Sequence, residues 1–230
     1  MKSNREKYVF EFLSVFVAVF LAFALNSWRE DQRDYKAELK ILTEIANGLE
    51  KDREDLQLNI KGHRQGLRAC AFFQHIIAGK EEKPDSLPWH YIALTRDFIT
   101  IQNASGYETL KSKGLELIKD DELRTQIISL YEYNYQTLQK MEEEYYELQF
   151  QRNYFHAINQ VLAPQFRYDQ NGNLAGMQQP LQLKDSDRKC LLSYLWKIKV
   201  NRRFMIPFYE QVLQKVSLLE AKIEQELQSA

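Results

Sequence analysis

The chain has 230 residues, and its 31 basic side chains against 32 acidic ones leave a net charge of −1. That balance argues against a nucleic-acid-binding protein, which would carry a basic excess. Eight glycines and five prolines are few for this length, so helix should dominate, with enough chain for one domain with a real core.

Lys2, Arg5 and Lys7 make residues 1–7 a short basic tail. The next 17 residues, Val9 to Leu25, contain only Glu11 and Ser14 as polar members. As a helix this run is about 26 Å long, and about 31 Å from Tyr8 to Trp28, the thickness of a bilayer's hydrocarbon core. Tyr8 and Trp28 then stand where interfacial aromatics belong. A cleaved leader is the rival, with Ala22-Phe23-Ala24 as a small-x-small site. Phe10, Glu11 and Phe12 interrupt a clean leader core, and the pattern after Trp28 stays helical. The expectation is therefore a transmembrane helix over residues 8–28.

At about 100° per residue, Glu11, Ser14, Ala18, Ala22 and Asn26 share an arc of about 120°, with Val15 and Leu25 inside it. Phe12, Phe16, Phe20 and Phe23 lie away from it. Small residues at such spacing let membrane helices pack closely, so this arc is the predicted packing face. Glu11 lies near the start of the apolar run, where Lys7, four residues earlier, pairs with it. A carboxylate facing a bundle interior or an ion path is the alternative. Arg29, Arg33, Lys36 and Lys40 flank the other end, so the positive-inside rule is nearly balanced. The net charges of the flanks favour an inner-membrane protein with its N-terminus inside and residues 29–230 in the periplasm.

Beyond Trp28, Tyr35, Leu39, Leu42, Ala46, Leu49, Leu56, Ile60, His63, Leu67 and Cys70 keep helical spacing. One helix is predicted to about Ala78, with Gly48, Gly62 and Gly66 as points where it bends. An irregular connection over about 79–88 and a short helix from about Pro88 to Phe98 follow. Ser105 with Glu108 reads as a capping box, Gly114 as a helix stop, and Asp120 as the start of a helix to about Val161. Residues 163–184 read as a second irregular connection. A last helix starts at Asp185 or Ser186 and is disturbed at Pro207. The fold class is all-α: one N-terminal transmembrane helix continuing into an antiparallel bundle of long helices.

Chemistry-bearing patterns are sparse. None of the four histidines sits in H-E-x-x-H or E-x-x-H, and His63 and His75 read as packed or interfacial. "DQNGN" lacks the acidic ligand a calcium loop needs at position twelve and reads as a turn. Tyr131, Tyr135 and Tyr145 read as core bulk, with Glu142, Glu143 and Glu144 partly solvated. Arg202 and Arg203 read as a solvated face, with anion binding at a bent helix as the alternative. Cys70 and Cys190 lack C-x-x-C spacing, and two thiols or one disulfide both stay open. No catalytic motif, metal set or cofactor motif is present, so no enzyme and no cofactor are expected.

Two stretches resemble a family of single-span bacterial membrane proteins, a domain of unknown function met mostly in Bacteroidota. Tyr8, Glu11, Ala24-Leu25, Asn26 and Trp28 match its first motif, with the Glu-to-Trp spacing of 17. Phe10 departs from the family's glycine, and Leu25 is not followed by Gln. Tyr107, Leu110, Gly114, Leu117, Ile118, Leu123 and Arg124 match its second. The resemblance implies topology and class, carries no activity, and by analogy adds weight to a working role for Glu11. The expected function is a non-enzymatic, membrane-anchored module for interaction or assembly. Its partners are the lipid bilayer, further copies of itself and another membrane protein, with no nucleic acid. A sensing bundle that signals through a partner and an ion or proton path using Glu11 are the alternatives.

Overall fold

A computed structural model describes residues 2–80 and 82–229, with side chains except at 2–7 and 84. Helix α1 runs unbroken from Lys2 to Ile77, 76 residues and about 114 Å. The basic tail is thus the first turns of this helix rather than a separate segment. None of the apolar window inside α1 is buried, and it is the one helix among the described residues long and apolar enough to cross a membrane. The side chain of Lys7, and with it the expected Lys7–Glu11 pair, lies outside the described residues.

From Glu38 onward α1 buries two rows, each repeating every seven residues. One is Leu42, Leu49, Leu56, His63, Cys70 and Ile77; the other is Glu38, Ile45, Asp52, Asn59, Gly66 and Phe73. Helix α7, Asp185–Ser229, carries the matching rows Leu191, Ile198, Met205, Val212, Leu219 and Leu195, Arg202, Tyr209, Val216, Ile223. A seven-residue repeat falls about 20° short of the straight-helix period each time, so two helices keeping it wind around each other. The pair is antiparallel: Arg53 meets Glu220, Arg64 meets Glu210, and Arg188 donates to the carbonyl of Ile77. Pro207 lies inside α7 on an exposed position, so the carbonyl it leaves without a donor meets water.

The rest of the chain packs on this pair. Helix α2 (Leu87–Thr95) is followed by an irregular stretch, 96–104, and then by α3 (Ser105–Lys113). Gly114, at φ 104°, ends α3, and Asp120 caps α4 (Asp121–Ser129) by accepting from Leu123 N at 2.9 Å. The capping box expected at Ser105 does not form. Ala104 precedes the first turn with no side-chain bond, because the chain enters α3 from Asn103, itself held by Asp52. The helix expected from Asp120 to Val161 is in pieces. A π-helical turn (Leu130–Tyr135) leads into α5 (Gln136–Glu143), and a second (Gln151–Phe155) into α6 (His156–Leu162). Between them Tyr145 N reaches back to Lys140 O, closing the helix five residues behind, and the chain turns off its axis. Within 163–184 a short antiparallel hairpin, β1 (Phe166–Tyr168) and β2 (Leu174–Met177), is the exception to an all-α fold. Its "DQNGN" loop is a turn in which Asp169 accepts from Asn171 N and Asn173 N, with Gly172 at φ 80°.

Two apolar cores result. One gathers Leu42, Leu49, Leu56, Leu110, Leu130 and Val216 at the end nearer the apolar window. The other gathers Cys70, Phe73, Leu94, Phe150, Leu162 and Leu195 at the far end. Cys70 is buried and Cys190 exposed, both as free thiols. Glycines on α1 mark close approaches rather than breaks: a Cβ on Gly62 would fall 2.1 Å from the Phe98 ring, and one on Gly66 2.2 Å from Arg202 Nε. Across the α1–α3 crossing a Cβ on Gly106 would lie 2.8 Å from the backbone nitrogen of Ile45. Alanine is normally the better helix former. Gly106→Ala should nonetheless destabilise the chain, by about 1–3 kcal/mol, since backbone must move. Thermal unfolding in nonionic detergent checks this, and an unchanged or raised midpoint contradicts so tight a crossing.

Candidate interaction face and the buried polar seam

Helical geometry places the predicted face of the span. Glu11, Ser14, Ala18, Ala22 and Asn26 are all exposed on the uninterrupted α1, as are Tyr8 and Trp28 at its two ends. Ser14 Oγ donates to Phe10 O at 2.7 Å and lies 3.0 Å from Glu11 O, so its hydroxyl is satisfied within its own helix. Ser14 therefore offers smallness rather than a cross-helix bond. At about 100° per residue this arc and the side of α1 buried over Glu38–Leu49 are about 180° apart. The face thus points away from the bundle domain. The charges just beyond Trp28 also sort by side. Arg29, Arg33, Lys36 and Lys40 continue the small-residue side, while Glu30, Asp31, Asp34 and Glu38 lie toward the domain. Glu38 there accepts from Lys119 N at 2.8 Å.

The second cluster is internal. Stretch 96–104 passes between the helices with no ladder of its own, so its backbone groups need side-chain partners. Arg202, fully buried at 0% exposure, donates from Nη2 to the carbonyls of Ala93, Leu94 and Arg96 at 3.2, 2.9 and 3.0 Å. Its guanidinium stacks 4.1 Å from the Phe150 ring centroid, and Nη1 donates to His63 Nδ1 at 3.3 Å. Asp97 accepts from Phe150 N at 2.6 Å. Glu142 accepts from Thr100 N at 3.1 Å and from the Tyr209 hydroxyl at 2.6 Å, and that hydroxyl lies 3.2 Å from Phe98 O. Asp55 accepts from Ile101 N at 3.0 Å. Asp52 accepts from Asn103 N at 2.8 Å and from the Tyr135 hydroxyl at 2.6 Å, while Tyr131 donates to Asn103 O.

Two sequence expectations are corrected here. Arg202 is not on a solvated face: it shares the buried seven-residue row with Leu195 and Tyr209, while neighbouring Arg203 is exposed. Glu142 is not partly solvated either. It is 8% exposed, because Thr100 and Tyr209 supply the hydrogen bonds that water would otherwise provide. Tyr131 and Tyr135 are buried as expected, whereas Tyr145 is exposed at the break after α5. His63 is buried, and His75 is half-exposed and pairs with Glu82 at 2.7 Å. Among the described residues no group of three or more His, Cys, Asp or Glu could hold a metal ion.

Burial sets the protonation of the seam. It raises Asp52, Asp97 and Glu142 above their ordinary values, opposed by the hydrogen bonds each accepts. Burial, with Arg202 alongside, pushes His63 from 6.5 down to about 3. Neutral His63 accepts from Arg202, and its Nε2 is buried without a partner. What this arrangement does chemically is hold a backbone in place. Asp52 and Glu142 are engaged by both N–H and O–H donors, and Asp97, at the edge of an open groove beside Gln151 and Phe155, by two backbone amides.

The seam predicts two effects. Arg202→Met fills the space but strips the donor from the buried carbonyl of Leu94 and the part-buried ones of Ala93 and Arg96, so a loss of about 3 kcal/mol is expected in thermal unfolding. For His63 the folded value lies below the unfolded one. Its stabilising contribution is present above pH 6.5 and is lost as pH falls toward about 3. The raised carboxylates act in the opposite sense, contributing most at low pH and losing it as pH rises through their folded values. Of these groups His63 is the one whose contribution falls as pH drops below 6.5, so His63→Gln should make the melting temperature fall less on acidification than in the unsubstituted protein. Parallel profiles for the two proteins would exclude His63 as its source.

No family model, no curated protein and no solved structure matches this chain.

Proposed function

We propose that the chain is a non-enzymatic module of the inner membrane, anchored by residues 8–28, that self-associates through the small face of its span. The reading carries with it membership of the single-span family that the two motifs resemble. The observation that supports it most is the direction of the arc Glu11, Ser14, Ala18, Ala22 and Asn26 relative to the domain. Spans pairing on that face would let two bundle domains stand on opposite sides of the contact without collision. The α1–α7 pair serves as an antiparallel coiled-coil arm that carries the far core away from the bilayer. On this reading the N-terminus is inside and the bundle is periplasmic.

The charges beyond Trp28 limit where the copies touch. In a symmetric parallel pair, Arg29, Arg33, Lys36 and Lys40 of one copy would face the same residues of the other. Like charges so placed repel, so contact is confined to the membrane and the helices diverge outside it. Glu11 contributes to the face without carrying ions.

Single cysteines introduced on a Cys190→Ser background test this in native membranes. Ala18→Cys should crosslink efficiently, Phe16→Cys poorly, and Lys36→Cys poorly despite its exposure. Equal crosslinking at Ala18 and Phe16, or monomer throughout, removes the proposal. Glu11→Gln should leave the Ala18→Cys crosslink and any ion or proton flux unchanged, and flux lost while the crosslink persists would favour the ion-path alternative. A C-terminal alkaline phosphatase fusion should be active, and an inactive one reverses the orientation.

A further inference from the structure

A groove of about 390 Å³ opens between α1, α2 and stretch 96–104 on the far half of the bundle. Gln65 and Arg68 come from α1, Trp89 and His90 from α2, and Arg96 and Phe98 from the extended stretch. Trp89 is 76% exposed, and both arginines are exposed. None of the described residues lining the groove is acidic. Of the carboxylates nearby, Glu82, whose charge also acts on His90, pairs with His75 at 2.7 Å, and Asp97 accepts from Phe150 N at 2.6 Å.

A third guanidinium stands behind the wall. Arg202 Cζ lies 5.5 Å from the centroid of the Phe98 ring, and Nη2 holds the carbonyls of Ala93 and Arg96, two groove residues. Its partners are carbonyls and neutral His63, with no carboxylate hydrogen-bonded to it among the described residues. Its Nε is buried and unpartnered beside Gly66, next to Gln65 in the groove. Asp97 acts on Arg202 only through space, its carboxylate turned to the amides of Phe150 and Gln151. A buried guanidinium so weakly countered raises the potential of a concave, low-dielectric surface, and two more guanidiniums stand at its mouth. Guanidinium is the group best shaped to grip a carboxylate or phosphate. The Trp89 and Phe98 rings add an apolar wall, and the volume suits a small molecule.

We infer that this groove binds a small soluble anion made of a carboxylate or phosphate head on a flat apolar body. Arg68 and Arg96 hold the head, and Trp89 covers the body. With Tyr8–Trp28 as the span, Arg68 lies about 60 Å along α1 from Trp28. Even a tilt of about 40° leaves it about 46 Å from the bilayer surface, so headgroups of that membrane cannot reach it. The site is independent of the pairing proposed for the span, and crosslinking at Ala18 reports on that pairing alone.

Calorimetric titration of the full chain in nonionic detergent tests the inference, with phenyl phosphate and inorganic phosphate as probes. Phenyl phosphate should saturate at one per chain and bind about tenfold tighter than inorganic phosphate. Arg68→Gln combined with Arg96→Gln should weaken both by at least about tenfold. Both positions are exposed, so the melting temperature should not move. Trp89→Ala should weaken phenyl phosphate and leave inorganic phosphate unchanged. No saturable binding at millimolar concentration, or equal affinity in the double variant, overturns the site. Equal weakening of both probes by Trp89→Ala overturns the role given to the apolar wall.

Discussion

The hydrogen bonding of stretch 96–104 is the constraint on which the bundle depends. Nine residues of irregular backbone lie against the bundle, with Ile99 and Ile101 outward and Thr100 buried, where neither helix nor sheet satisfies them. Side chains from α1, α7 and the α4–α5 region supply partners for its amides and carbonyls. That requirement accounts for the unusual population of buried charge: Asp52 on α1, Glu142 on α5 and Arg202 on α7. Each would be costly alone. Together they fasten one strand of chain to three separate helices, and they lie where the two apolar cores meet. The cores give adhesion without direction, whereas the seam fixes which residue of α7 stands opposite which residue of α1. Polar layers within apolar helix interfaces have this effect on register elsewhere.

Much of the fold was legible because helix period and punctuation are local properties. The extent of α1, the stop at Gly114, the start at Asp120, the turn at "DQNGN" and the start of α7 follow from residues within a few positions of each other. The seam was illegible for the opposite reason. Whether Glu142 is solvated depends on Thr100 and Tyr209, 42 and 67 residues away in sequence. Arg202 alone carries a local signal of its burial. Carrying the seven-residue row Val216, Tyr209 back through Pro207 arrives at Arg202 and then Leu195, which marks Arg202 as internal. Pro207, a residue that ordinarily breaks a helix, masks that periodicity. The broken helix between α5 and α6 had no comparable signal, since the tyrosines there suit a core and a surface equally well.

The same distinction separates the two candidate sites. The face on the span is a pattern within one helix, so its residues could be named from periodicity alone. What periodicity could not supply is its direction relative to the domain, which needed the buried side of α1 as a reference. The groove beside Trp89 joins residues from three elements. Arg68 and Arg96 are unremarkable as letters in a charged chain. They become a pair only because stretch 96–104 crosses α1 at Gly62, where a hydrogen atom leaves room for the Phe98 ring.

The glycines at these crossings also make α1 a stiff shaft with a keyed fit. Gly66 is the position at which Arg202 can lie against the helix, and its neighbours in sequence, Gln65 and Leu67, both carry side chains. Sliding α1 by one residue would drive one of them into the guanidinium and strip partners from the seam. The shaft therefore cannot ratchet past α7 in small steps. A tilt or rotation imposed at Trp28 must turn the whole domain with it, or else unseat the seam in a single cooperative event.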